Sequence, residues 1–151
     1  MMMTPHNSVM KYGNIIIEKR EYELLKSILS TSQFYREETY KQSLEKLKGE
    51  LAKAKILEAK KLPEDVIRFN SVVTIETPWN VQRSYQVVVP EQSDIKQDKI
   101  SILAPMGLAL FGYAKGDEFT WQFPMGANTI KILEVVQPTA TVKIEDYERK
   151  I

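Results

Sequence analysis

Residues 100–117, ISILAPMGLALFGYAKGD, restrict the possible folds more than any other part of the chain. Ser101-Ile102-Leu103 is short, apolar and β-prone, and predicts a strand. Pro105 follows at the first turn of a helix, where its missing N–H costs nothing. Met106, Ala109 and Leu110 recur at i, i+3 and i+4, so they mark one apolar helix face. Gly112 stands where a left-handed residue ends a helix, and Gly116-Asp117 marks a turn into another strand. Gly107 and Gly112 are too far apart and too apolar in context for a phosphate loop, and no G-x-x-x-x-G-K motif is present.

Strand patterns lie on either side of this unit. Residues 71–77 alternate, Pro78-Trp79-Asn80 makes a turn, and residues 83–89 alternate again with Tyr85, Val87 and Val89 on one side. Val88 is apolar too, so this strand is expected to be covered on both faces. Pro90 ends it and residues 91–99 form a polar loop. Residues 119–123 and 129–136 complete a sheet of about five antiparallel strands with one helix against it. Pro138 stops the last strand, and 139–151 reads as a tail.

The first half of the chain has a different period. Ile15-Ile16-Ile17 is a short β-branched run. Residues 18–30 place Leu25, Ile28 and Leu29 on one helix face, and Ser30-Thr31-Ser32 breaks that helix. A second helix is predicted over 37–61, where Tyr40, Leu44, Leu47, Leu51 and Ala54 follow the 4-3-4-3 spacing of a coiled-coil seam. Gly49 inside it costs about 1 kcal/mol relative to alanine, and suggests close packing against the first helix. Two helices joined by a short polar linker fold back as an antiparallel hairpin. At 1.5 Å per residue they span roughly 20 and 37 Å. Pro63 pushes Leu62 out of helical geometry. The expected organisation is therefore a disordered lead-in at 1–14, a helical hairpin at 15–62, a second domain at 63–138, and the tail.

Composition excludes several classes. Twenty-one basic residues face 20 acidic ones, so bulk charge argues neither for nor against nucleic acid. The absence of cysteine rules out disulfides and thiolate metal sites and fits a reducing compartment. No apolar run approaches the ~20 residues of a membrane span. The first residues lack the apolar core of a signal peptide. Cytoplasmic residence is the expectation.

The spacing Pro105-x-Gly107-x-Ala109-Leu110-x-Gly112-x3-Gly116-Asp117 resembles the C-terminal domain of the Gre transcript-cleavage factors of bacterial RNA polymerase. Asn70-Ser71-x-Val73, Pro124-x-Gly126 and Ile132-Leu133-Glu134-Val135 support the same family. Ala104-Pro105, in place of Ser-Pro, and Trp121-Gln122-Phe123-Pro124 are similar to the Rnk branch, relatives with a shortened hairpin. The resemblance implies an α+β protein, a short antiparallel helical hairpin (coiled coil) followed by an FKBP-like domain. It implies a non-catalytic, monomeric regulator that docks at the rim of the polymerase secondary channel and competes there with longer Gre factors. Nucleic acid would be met only indirectly, and no cofactor or metal is implied. Trp79, Pro105, Met106, Gly107 and Trp121 are the candidate docking residues. Phe34, Tyr35, Glu37 and Glu38 are candidates for the hairpin tip.

Two other functions compete with this one. Gre factors present two tip carboxylates that help hold a catalytic Mg²⁺, since hard cations take carboxylate oxygens. Glu37 and Glu38 are the only tip acids, and adjacent side chains at a helix start point in different directions. Their other reading is negative charge in a first helical turn, where the macrodipole favours it. Alternatively, Trp79, Tyr85, Trp121 and Phe123 line a pocket of a prolyl isomerase or chaperone, although fold does not carry function. Lys41, Lys46, Lys48, Lys53, Lys55, Lys60 and Lys61 make the second helix basic, read mainly as a solvated exterior with support from pairs such as Glu50–Lys53. His6 stands alone and makes no metal site.

Overall fold

The computed structural model describes residues 10–30, 38–123 and 126–138. In chain order the elements are β1 (Ile16–Glu18), α1 (Lys19–Ser30), α2 (Glu38–Lys53), β2 (Lys55–Leu57), β3 (Val72–Glu76), β4 (Gln82–Val88), β5 (Lys99–Ser101), α3 (Pro105–Leu110), β6 (Glu118–Phe123) and β7 (Gly126–Val136). The class is α+β. A five-stranded sheet has the order β5-β4-β3-β7-β6, and β1 pairs with β2 in a separate two-stranded sheet.

Side-chain alternation builds the large sheet. Val73 and Ile75 of β3 are buried, while Val72, Thr74 and Glu76 face outward. Val87 and Val88 of β4 are buried on opposite faces, as is Val89 after them, so this strand is covered on both sides. In β7 the buried positions are Ile130, Ile132 and then Val135. The register against β3 shifts between Thr74 and Ile75, which pair with Glu134 and Ile132. Leu133 is the extra residue of this β-bulge, which explains the change of parity and bends the sheet.

One strand pair departs from the all-antiparallel expectation. β5 runs parallel to β4, with Gln86 opposite Lys99 and Val88 opposite Ser101. The connection between them contains two 3₁₀ turns, Pro90–Gln92 and Ile95–Gln97, and crosses over where a tight hairpin would force antiparallel pairing. The strand expected at 101–103 lies at Lys99–Ser101, and Ile102 and Leu103 turn toward α3.

The second helix ends at Lys53, not at Lys61. Lys55 N donates to Ile15 O at 3.0 Å, and Lys55–Leu57 pairs with Ile16–Glu18. Tertiary pairing here overrides a heptad pattern, as it routinely overrides propensity. The stripe Leu44, Leu47, Leu51 and Ala54 packs into the cluster that contains Leu108, Phe111, Tyr113 and Phe119. Gly49 is exposed, and a Cβ there would meet nothing within 4 Å, so it serves no close approach.

Ile15, Ile17, Leu25 and Leu47 lie in the same core as Ile67, Phe69, Val73 and Ile132, so apolar contact runs across Pro63. Part of the expected lead-in is ordered. Residues 10–14 are fastened by a turn at Gly13 (φ +83°), by Lys11 N donating to Asp117 Oδ1 at 2.6 Å, and by Tyr12 OH donating to Asp65 at 2.8 Å. Gly112 ends the α3 segment at φ +85°. It donates to Ile67 O and accepts from Ile16 N, which ties β1 to the body.

Candidate functional site

The strand register separates the five candidate docking residues into two places. Val72 pairs with Gln86 at one end of β3, and Glu76 pairs with Gln82 at the other. Trp79 lies just beyond the Glu76 end. Its turn is closed by Thr77 N donating to Val81 O and Asn80 N donating to Thr77 O, with Asn80 at φ +60°. The Trp79 ring is 48% exposed and stands beside Val81, also half exposed. A shallow open groove next to it is lined by Glu76, Thr77, Pro78, Asn80, Asn128, Thr129 and Lys131. Trp121 of β6 is opposite Asn128, hence at this same end, with its ring edge-on to Phe119 at 6.5 Å.

Pro105, Met106 and Gly107 lie toward the opposite end, because β5 reaches Ser101 beside Val88 before the chain turns into α3. Met106 packs against the core and Gly107 is buried. All of Gly107, Leu108, Ala109 and Leu110 are buried, so α3 is enclosed rather than covered on one face. Phe34, Tyr35 and Glu37 are outside the described residues. Glu38 opens α2, and its side chain is also outside them. Among the described residues, no group of three or more His, Cys, Asp or Glu side chains is placed to hold a metal ion.

Among the described residues, three polar clusters tie the first part of the chain to the sheet body. In the first, Asp65 accepts from Lys11 Nζ and Tyr12 OH. Burial works against its charge, but those hydrogen bonds together with the Lys11 charge outweigh burial and hold its pKa below the usual range. Asp117 is buried beside it and accepts from the backbone N–H of Lys11 and Ala114; burial dominates there and pushes its carboxyl up. In the second cluster, Glu21 of α1 accepts from Arg68 Nε at 3.0 Å and Nη2 at 2.8 Å, and from Phe69 N at 3.3 Å. Its side chain is only 5% exposed, and burial raises its pKa despite the Arg68 charge. In the third, Tyr113 OH donates to Glu50 and accepts from Lys46 Nζ at 2.8 Å.

This corrects the reading of the lysine face. Lys46 stays 38% exposed while its ammonium reaches the Tyr113 hydroxyl, and Glu50 pairs with Lys46 rather than with Lys53. Lys41, Lys48, Lys53, Lys60 and Lys61 are exposed.

The inward-facing charges were missed from sequence, although one signal was present. Glu21 stands four residues before Leu25 and seven before Ile28, so it falls on the apolar face of its helix. A carboxylate in such a stripe needs a partner when buried. Nothing local names Arg68 as that partner.

A family profile described as "Transcription elongation factor, GreA/GreB, C-term" matches residues 62–137. Transcription elongation factor GreA of Hyphomonas neptunium is 33% identical over 94 residues, covering 62% of this chain and 60% of that protein. GreA of Syntrophus aciditrophicus is 34% identical over 93 residues, covering 61% and 58%. The match thus spans about three fifths of these relatives' own length. The solved structure of a prokaryotic transcription elongation factor GreA/GreB from Nitrosomonas europaea superposes with a TM-score of 0.65 at 33% identity, covering 82% of this chain and 98% of that one.

Proposed function

The chain belongs to the GreA/GreB family of transcription elongation factors, and on that premise we propose that it is a regulator that binds bacterial RNA polymerase without itself promoting RNA cleavage. It docks at the rim of the secondary channel as a cytoplasmic monomer and competes there with longer members of the family. The sheet domain, read as FKBP-like, does the docking. Helices α1 and α2, read as a short antiparallel hairpin, occupy the channel mouth. The short hairpin, Ala104-Pro105 and Trp121-Gln122-Phe123-Pro124 favour the Rnk branch.

The observation that carries this reading is the length of the helices. α1 has 12 residues and α2 has 16, or roughly 18 and 24 Å at 1.5 Å per residue. At its far end α2 stops at Lys53 and the chain turns back into β2. A metal-assisted mechanism needs carboxylates delivered to within coordination distance of the polymerase metal. Helices this short block a channel better than they traverse it.

Backtracked elongation complexes test the proposal. This protein in excess is expected to suppress cleavage stimulated by a GreA and to add none of its own. Cleavage by this protein that disappears in Glu37→Ala/Glu38→Ala would overturn it in favour of a catalytic role.

A further inference from the structure

The helices meet the sheet body through two kinds of contact. Leu25 of α1 and Leu47 of α2 enter the shared core, and apolar burial of this kind attracts without direction. Each helix also carries a polar tie. On α1 it is Glu21, 4% exposed and paired with Arg68. On α2 it is Lys46 with Glu50, which meet the Tyr113 hydroxyl.

A buried carboxylate is a poor means of adding stability, since an apolar residue of similar volume holds a helix to a core at least as well. An arginine pair adds geometry, because the guanidinium presents its donors in a fixed planar fork. Here Arg68 donates twice to one carboxylate oxygen while Phe69 N donates to the other. The tie on α2 is equally over-determined. Besides its hydrogen bonds, the Lys46 ammonium lies 4.9 Å from the Tyr113 ring centroid and 5.6 Å from that of Phe119. β1 and β2 anchor one end of each helix through backbone bonds, which still leaves the helices free to rock about that end. Two ties on different helices reach different parts of the body, one before β3 and one before β6, and together they remove that freedom.

We infer that Glu21, and Lys46 with Glu50, are positioning residues that set the angle of α1 and α2 on the sheet body, and that this fixed angle is what lets the helices occupy the polymerase channel. The inference rests on the proposed function. These residues act through Arg68 and Tyr113 of the same chain.

The test uses the full chain with Glu21→Met and Tyr113→Phe, which keep the buried volume and the ring and remove the directional bonds. The chain has no cysteine, so spin labels attach uniquely at Lys41→Cys on α2 and Lys96→Cys on the body, both exposed positions. The wild-type background is expected to give one narrow distance distribution, and the double variant a broad one, with a lower urea midpoint because Arg68 and the Phe69 N–H lose their acceptor but with unfolding still cooperative. If the freed helices hold the competent angle about a tenth of the time, competition with GreA weakens roughly tenfold, while direct binding through the sheet domain changes little. Tyr113→Phe alone should broaden the distances in part, and serves if the double variant does not fold. A narrow distribution in the folded variants would overturn the inference, as would undiminished competition with a broad one. If the wild type fails to bind polymerase at all, the proposed function and the channel role fall together, while the distances still decide whether these residues set the angle.

Discussion

Gly107 packs against the turn that leaves β5, and an alanine methyl there would lie 2.3 Å from Ser101 O and 3.1 Å from Ile102 Cα. Both neighbours are backbone, so no side chain can rotate away to make room. Ordinary contact begins at 3.4 Å, so α3 must move by roughly 1 Å, enough to loosen the close packing of Leu108 and Leu110. Overpacking of this kind costs about 1–3 kcal/mol. Alanine returns up to about 1 kcal/mol in helix propensity, and a backbone clash belongs at the upper end of the cost. The expected net loss is about 1–2 kcal/mol, or roughly 2–8 °C in Tm for a chain of this size. Urea unfolding followed by tryptophan fluorescence reads it as a lower midpoint with unchanged slope. The same displacement carries Pro105 and Met106 with it, so the proposed polymerase binding, if docked through them, should weaken in parallel. Gly107→Ala with wild-type stability or better would show that α3 does not sit against this turn as described.

Gly49→Ala is the same substitution with the opposite expected sign. Its Cβ meets open space within a helix, so stability should rise by up to about 1 kcal/mol in the same urea assay. Leu110→Ala should cost about 2–5 kcal/mol, because this leucine is fully buried in the core. Glu21 has its pKa raised above the ordinary 4.5, mainly by burial. The folded state therefore holds its proton at a pH where the unfolded state has lost it, and this group's contribution falls as pH rises through that window. Stability of Glu21→Gln relative to wild type should then increase as pH is raised from 4.5, in paired urea titrations. Asp65 carries the opposite shift, so Asp65→Asn should cost most above its ordinary pKa and progressively less as pH falls through the lowered one.

Local pattern alone determined a good part of this protein. Alternation at Val73 and Ile75 and the Val87–Val89 run marked β3 and β4, because a pleated strand sends successive side chains to opposite faces. Pro105 and Gly112 bounded α3, because one needs no N–H and the other reaches positive φ. The family motif lay in the same residues. Other features depended on partners distant in sequence. Lys55-Ile56-Leu57 continues a helical period and becomes a strand only because Ile16–Glu18 lies beside it. β5 is parallel because the 3₁₀ turns before it carry the chain across, and Leu133 bulges because β3 sets its register. Glu21 meets Arg68 across 47 positions and Tyr113 meets Glu50 across 63. Periodicity records which face of an element is apolar. It does not record which distant group will neutralise a buried charge, and only the tertiary structure, by bringing the two within hydrogen-bond distance, decided that.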